Sequence, residues 1–99
     1  MYAIAIVRYV KPLEEVLKHQ DPHRAYLKDL KAKGTLLASG PLEPRYGGAL
    51  LLRIPDAAAS AYAALAAVRD GDPFVKAQVA QYELLPWLPN IGVESLDRL

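Results

Sequence analysis

Cysteine is absent from the 99-residue chain. That excludes a disulfide scaffold, a thiolate metal site and a cysteine nucleophile. An excess of one charge is also missing: 12 Lys and Arg stand against 11 Asp and Glu, a formal net charge of +1. Dedicated nucleic-acid binders usually carry a strong basic surplus, so nucleic acid is not an expected partner. Long apolar runs are lacking as well. Residues 2–10 and 57–68 are the most apolar stretches, and both are too short to span a bilayer. Before Tyr2 there is no basic leader region, and no small-residue cleavage site follows Val10. The expected address is therefore the cytoplasm, with no membrane partner. Gly47-Gly48 precedes neither a helix nor a Gly-Lys-Ser/Thr run, which excludes a phosphate-binding P-loop.

What is present describes a folded domain. The composition is 53% hydrophobic and 23% charged, unlike a disordered chain. A chain of this length forms one domain, residues 1–99, with one modest core.

Residues 2–10, rich in Ile, Val and Tyr, read as a strand. Pro12 opens a helical stretch to about Gln20. Asp21-Pro22 reads as an N-cap with proline at the first helical position, starting a helix to about Lys33 that Gly34 stops. Thr35 to Ser39 reads as a second strand and Ala49 to Ile54 as a third, joined by a hairpin-like loop over 41–46. Pro55-Asp56 begins another helix, to about Arg69, with Tyr62 and Leu65 as its packing face. Asp70-Gly71 ends it. Asp72-Pro73 repeats the cap-plus-proline signal for a short helical turn. Residues 79–87 form the last strand, where Pro86 suggests an edge. Residues 89–99 are a tail with weak signals.

The order β-α-β-β-α-β is the ferredoxin-like arrangement: an α+β fold with a four-stranded antiparallel sheet and two main helices on one face. Its strands are apolar on both sides. Ile4 and Ile6 alternate with Ala3, Ala5 and Val7, and the run Ala49 to Leu52 is unbroken. Two helices cover one face only, and the other needs burial too. A homodimer packed sheet to sheet is the economical solution, so the chain itself is the expected partner.

Two histidines occur. His23 stands four and seven residues before Leu27 and Leu30, which places it on the inward stripe of its helix. Two readings are open: a structural histidine bonded to backbone, or a group for proton transfer near neutral pH. His19 and His23 have a metal-binding spacing. Pro22 between them spoils the helix, and no third ligand presents itself, so no metal is expected. Asp72 is at least an N-cap; while one of its oxygens caps, the other could orient His23. Ser39, beside Gly40-Pro41, lacks the setting of a nucleophile elbow and suits a hydrogen bond into a pocket. Arg8 and Tyr82, on outer strands, suit either a polar rim or an anionic or aromatic ligand. Trp87 suits packing against an interface or the tail.

Taken together, His23-Arg24-Ala25-Tyr26-Leu27, Gly34, Leu37-Ala38-Ser39-Gly40-Pro41, Gly47-Gly48 and Asp72-Pro73-Phe74-Val75-Lys76-Ala77 resemble the YciI-like (YCII-related) family. The resemblance spans about residues 2–88 and leaves out the tail. It implies a dimeric α+β barrel built on the ferredoxin-like fold. It also implies an active site with a histidine and an aspartate, matching His23 and Asp72 here. The reaction it suggests is cofactor-free acid–base chemistry of a lyase, isomerase or dehydrochlorinase type on a small cyclic or aromatic oxygenated compound. Ser39, Gly40 and Pro41 would hold a ligand oxygen, Phe74 would wall the pocket, and Arg8 or Tyr82 would meet an acidic group. The alternative is a homodimeric module that binds a metabolite without turning it over.

Overall fold

The computed structural model describes residues 1–55 and 58–99. Its strands are β1 (Tyr2–Tyr9), β2 (Leu36–Pro41), β3 (Gly47–Arg53) and β4 (Ala80–Trp87). Its helices are α1 (Leu13–Leu17), α2 (Gln20–Ala32), α3 (Ala58–Gly71), α4 (Pro73–Lys76) and α5 (Val93–Asp97). All strand pairs are antiparallel, in the order β2-β3-β1-β4. The ferredoxin-like reading therefore holds. The sheet is open, not a closed barrel, and Pro86 lies on an edge strand as its missing N–H requires.

Strand alternation sorts the side chains. Ala3, Ala5, Val7, Leu50 and Leu52 face α2 and α3 and are buried with Leu30, Leu65, Val68 and Phe74. Pairing of Ile4 with Leu51 and Leu85, and of Ile6 with Ala49 and Glu83, defines the opposite face. No main helix among the described residues covers that face. Ile4, Ile6 and Leu51 remain partly exposed there, and Arg8 pairs with Glu83 across it.

Several boundaries differ from expectation for local reasons. Helix α2 starts at Gln20 with His19 as its N-cap, so Pro22 sits inside the first turn and not at its first position. Proline is tolerated there because first-turn N–H groups lack an intrahelical acceptor. Gly34 ends α2 as expected. Its φ is +80°, and the bonds Thr35 N–H to Leu30 O (3.0 Å) and Gly34 N–H to Lys31 O (3.1 Å) form a Schellman motif. Both glycines of Gly47-Gly48 lie within β3, not before it. A Cβ on Gly48 would sit 2.9 Å from the Gly40 carbonyl oxygen, so the pair allows close backbone approach. Asp56, the expected start of α3, lies outside the described residues. The packing face of α3 is Ala61, Leu65 and Val68; Tyr62 is 62% exposed, which corrects its assignment to that face.

The tail is ordered into α5. Tyr2 donates its hydroxyl to Asp97, and Arg53 donates to the carbonyls of Leu96 and Leu99. These contacts hold the tail at the Tyr2 end of β1. The Val7–Tyr9 end, where the candidate site lies, is left clear. No helix among the described residues is long and apolar enough to cross a membrane.

Candidate functional site

Asp72 is the one buried charged side chain among the described residues, with no exposed surface. Its position follows from local sequence. Helix α3 ends at Gly71, and Pro73 prevents Asp72 from continuing it. Asp72 then caps α4, its Oδ1 accepting from the Phe74 N–H at 2.9 Å. The same oxygen, and not the other one as expected, lies 2.7 Å from His23 Nδ1, 49 residues away in the chain. The second oxygen accepts from the Tyr82 hydroxyl. Three donors thus converge on one buried carboxylate, the condition under which such a group is tolerated.

Helix α2 delivers His23 to that point. One turn on, Tyr26 lies against Gly71 and donates its hydroxyl to the Val68 carbonyl at 2.6 Å. Only glycine permits this, since a Cβ at position 71 would stand 2.6 Å from the Tyr26 hydroxyl oxygen. The contact pins α2 to the α3–α4 junction beside Asp72. The His23 ring also stacks on Phe74, with centroids 3.7 Å apart and planes 6° from parallel. Tyr9 meets the Phe74 ring edge-on at 6.0 Å. Imidazole position and tilt are therefore set from two sides.

In the arrangement that satisfies every group, Nδ1–H donates to Asp72 and Nε2 carries the free lone pair. The ring borders a cavity of about 250 Å³ between α2 and the helix-bearing face of the sheet. That is just below the roughly 300–1,000 Å³ of ordinary ligand pockets, and suits a compound no larger than one ring. A histidine oriented by a carboxylate, presenting a lone pair to such a cavity, can accept a proton and return it.

Electrostatics behind the cavity point the same way. Burial, the negative charge of Asp72 and the hydrogen bond to it push the Tyr82 phenol well above the usual tyrosine range. Burial and then the charges of Asp72, Asp29 and Asp70 raise Tyr26. Both phenols thus remain proton donors throughout the ordinary pH range.

Of the residues singled out from sequence, His23, Ser39, Gly40, Pro41 and Phe74 border the cavity. Arg8 does not. It lies on the opposite sheet face, its Nη1 2.7 Å from Glu83 Oε1. Strand alternation explains this, since Arg8 shares parity with Ile4 and Ile6 and not with Val7. Tyr82 does not border the cavity either. It faces inward beneath the cavity and its hydroxyl is committed to Asp72, so it supports the pair instead of meeting a ligand. Gln20, Arg24 and Arg45 also border the cavity, which corrects the expectation that Arg24 lies with Lys28 and Lys31 on a side of the helix turned away from it. Adjacency to His23 could have flagged Arg24. Arg45, in the β2–β3 loop, carried no local signal. Among the described residues no group of three or more His, Asp or Glu is placed to hold a metal ion.

The fold and this site define a small α+β domain with a histidine–carboxylate pair at the floor of a one-ring cavity. The chain belongs to the YCII-related domain family, whose model matches residues 1–88. Among solved structures it is similar to the 5-chloro-2-hydroxyhydroquinone dehydrochlorinase TftG from Burkholderia phenoliruptrix AC1100, determined in complex with 2,5-dihydroxybenzoquinone. The TM-score is 0.69 at 21% identity, over 89% of this chain and 95% of that one. No curated protein matches the sequence. At that identity the likeness speaks for the fold.

Proposed function

We propose that the protein is a small-molecule enzyme in which the His23–Asp72 pair carries out general acid–base catalysis on a small cyclic or aromatic oxygenated compound. The observation that carries the reading is the 2.7 Å contact between His23 Nδ1 and fully buried Asp72, with the imidazole facing a cavity. Asp72 fixes the tautomer and offsets the charge that forms when Nε2 accepts a proton. Nε2 removes a proton from an activated hydroxyl or ring carbon. The electron pair left behind then forms a new double bond and expels a leaving group such as halide, or the proton returns at another carbon. The first outcome is elimination, the second isomerisation. Neither needs a redox partner. The hydroxyl of Ser39 and the backbone at Gly40-Pro41 would hold a ligand oxygen, with Phe74 as the wall beneath His23. The fold-level likeness to a dehydrochlorinase supports this class by analogy.

The working unit in this reading is a cytoplasmic homodimer. The face bearing Ile4, Ile6, Leu51 and Leu85 is apolar and lies open in the single chain, and a second sheet would bury it. Light scattering at micromolar concentration checks the dimer, and a monomer would contradict it.

The test is a screen of chlorinated and unchlorinated hydroxyquinols and cyclic lactones, with chloride release and ultraviolet spectra as readouts. Wild type should turn over a member of this set, and His23→Ala should lose about 10²–10⁴-fold in rate. Equal turnover by both would remove the catalytic role. Saturable binding without turnover, unaffected by Asp72→Asn, would favour a metabolite-binding module.

A further inference from the structure

We infer that the cavity selects a compound bearing an ionised oxygen, and that Arg24 and Arg45 make the selection. This rests on reading the His23 cavity as the working site and names the substrate class it takes. Arg24 follows His23 near the start of α2, while Arg45 comes from the loop between β2 and β3. Both border the cavity. With the Gln20 amide oriented to suit its neighbours, its oxygen accepts from Arg45 Nη2 at 3.0 Å and from Arg24 Nη2 at 3.1 Å. Two guanidiniums from separate elements therefore converge on one neutral carbonyl oxygen.

That arrangement holds two like charges side by side. An amide oxygen satisfies hydrogen bonds but offers no charge to offset two cations held together. Among the described residues no carboxylate pairs with either arginine, whereas Arg8, Lys18, Lys33 and Arg69 each have one. Among the described residues that border the cavity there is no Asp or Glu. A chain of net charge +1 thus places two guanidiniums around one small cavity. The N-terminal turn of α2 adds the positive end of its dipole at the same point. Guanidinium forks match planar oxyanions in particular, such as a carboxylate or the delocalised oxygens of an acidic enol or phenol. Anchoring that end at the arginines leaves the rest of a one-ring compound beside the imidazole.

The experiment is calorimetric binding of two probes at pH 7 and low salt: 2,5-dihydroxybenzoquinone, which is ionised, and its dimethyl ether, 2,5-dimethoxybenzoquinone, which is not. Both arginines are exposed, so Arg24→Gln/Arg45→Gln should fold as wild type does. Lys28→Gln/Lys31→Gln removes the same charge from elsewhere on α2. Wild type and the lysine variant should bind the ionised probe at least about tenfold more tightly than the ether, and the arginine variant should lose that preference. A preference that survives loss of both arginines, or falls equally in the lysine variant, would overturn their role. Equal affinity of wild type for both probes, abolished by His23→Ala, would overturn charge selection and leave the His23 site standing. Binding of neither probe by wild type would overturn both readings.

Discussion

Replacing Asp72 by asparagine separates a helix cap from a charged network more cleanly than any other single change. Asparagine and aspartate are about equally good N-caps. If capping α4 were all Asp72 did, Asp72→Asn would cost less than about 0.5 kcal/mol. The structure gives it more to do. It is fully buried and also meets His23 Nδ1 and the Tyr82 hydroxyl. Hydrogen bonds to a charged group contribute about 1.5–3 kcal/mol each, against about 1 for neutral pairs. Asparagine keeps one acceptor oxygen for the Phe74 N–H and His23 Nδ1 but turns an amide group toward the Tyr82 hydroxyl. Loss of charge at two bonds, with one mismatched donor, gives an expected cost of about 2–4 kcal/mol. That is a large part of the roughly 5–15 kcal/mol available to a domain. Urea unfolding of wild type, Asp72→Asn, Tyr82→Phe and the double variant measures it. The two substitutions should couple by about 1–2 kcal/mol, because each removes the same bond. An Asp72→Asn protein within 0.5 kcal/mol of wild type, or strict additivity with Tyr82→Phe, would refute the network.

Gly71→Ala should cost about 1–2 kcal/mol, since its Cβ would drive into a Tyr26 ring held at Val68, and the loss should shrink in a Tyr26→Leu background; thermal unfolding of the three variants checks this. Gln78 occupies the left-handed region at φ 61° in a Schellman motif closing α4, so Gln78→Gly should stabilise by about 0.5–1 kcal/mol in urea unfolding. The raised Tyr82 phenol makes stability depend on alkaline pH: the unfolded chain releases this proton near pH 10 and the folded one does so at higher pH. Its contribution is therefore whole below pH 10 and falls by about 1.4 kcal/mol per unit above it. Tyr82→Phe should flatten that part of the slope between pH 9 and 11, and an unchanged slope would contradict the buried phenol.

Much of this was legible in the sequence where the signal was local. Gly34 and Asp72-Pro73 mark helix ends because backbone geometry there restricts the residue type. Alternation in β1 sorted the sheet faces correctly. The same alternation, carried one residue further, would have put Arg8 on the open face and away from the cavity. Applied to β4, it would have turned Tyr82 inward with Ala80 and Leu84. Arg45 and the docking of Tyr26 on Gly71 were not legible, because they depend on how elements far apart in the chain meet. The tail was unreadable for a similar reason. Its five-residue helix is fixed by Tyr2 and Arg53, from the far end of the sheet, and not by its own propensity.

The central claim is that Asp72 holds His23 with its Nε2 lone pair toward the cavity. A long-range 1H–15N correlation spectrum of neutral His23 reads that tautomer directly, with His19 as a reference in the same sample. The account predicts the Nδ1–H form for His23, the Nε2–H form that free imidazole favours for His19, and a change at His23 alone in Asp72→Asn. An Nε2–H tautomer at His23, or a His23 spectrum unmoved by Asp72→Asn, would contradict it.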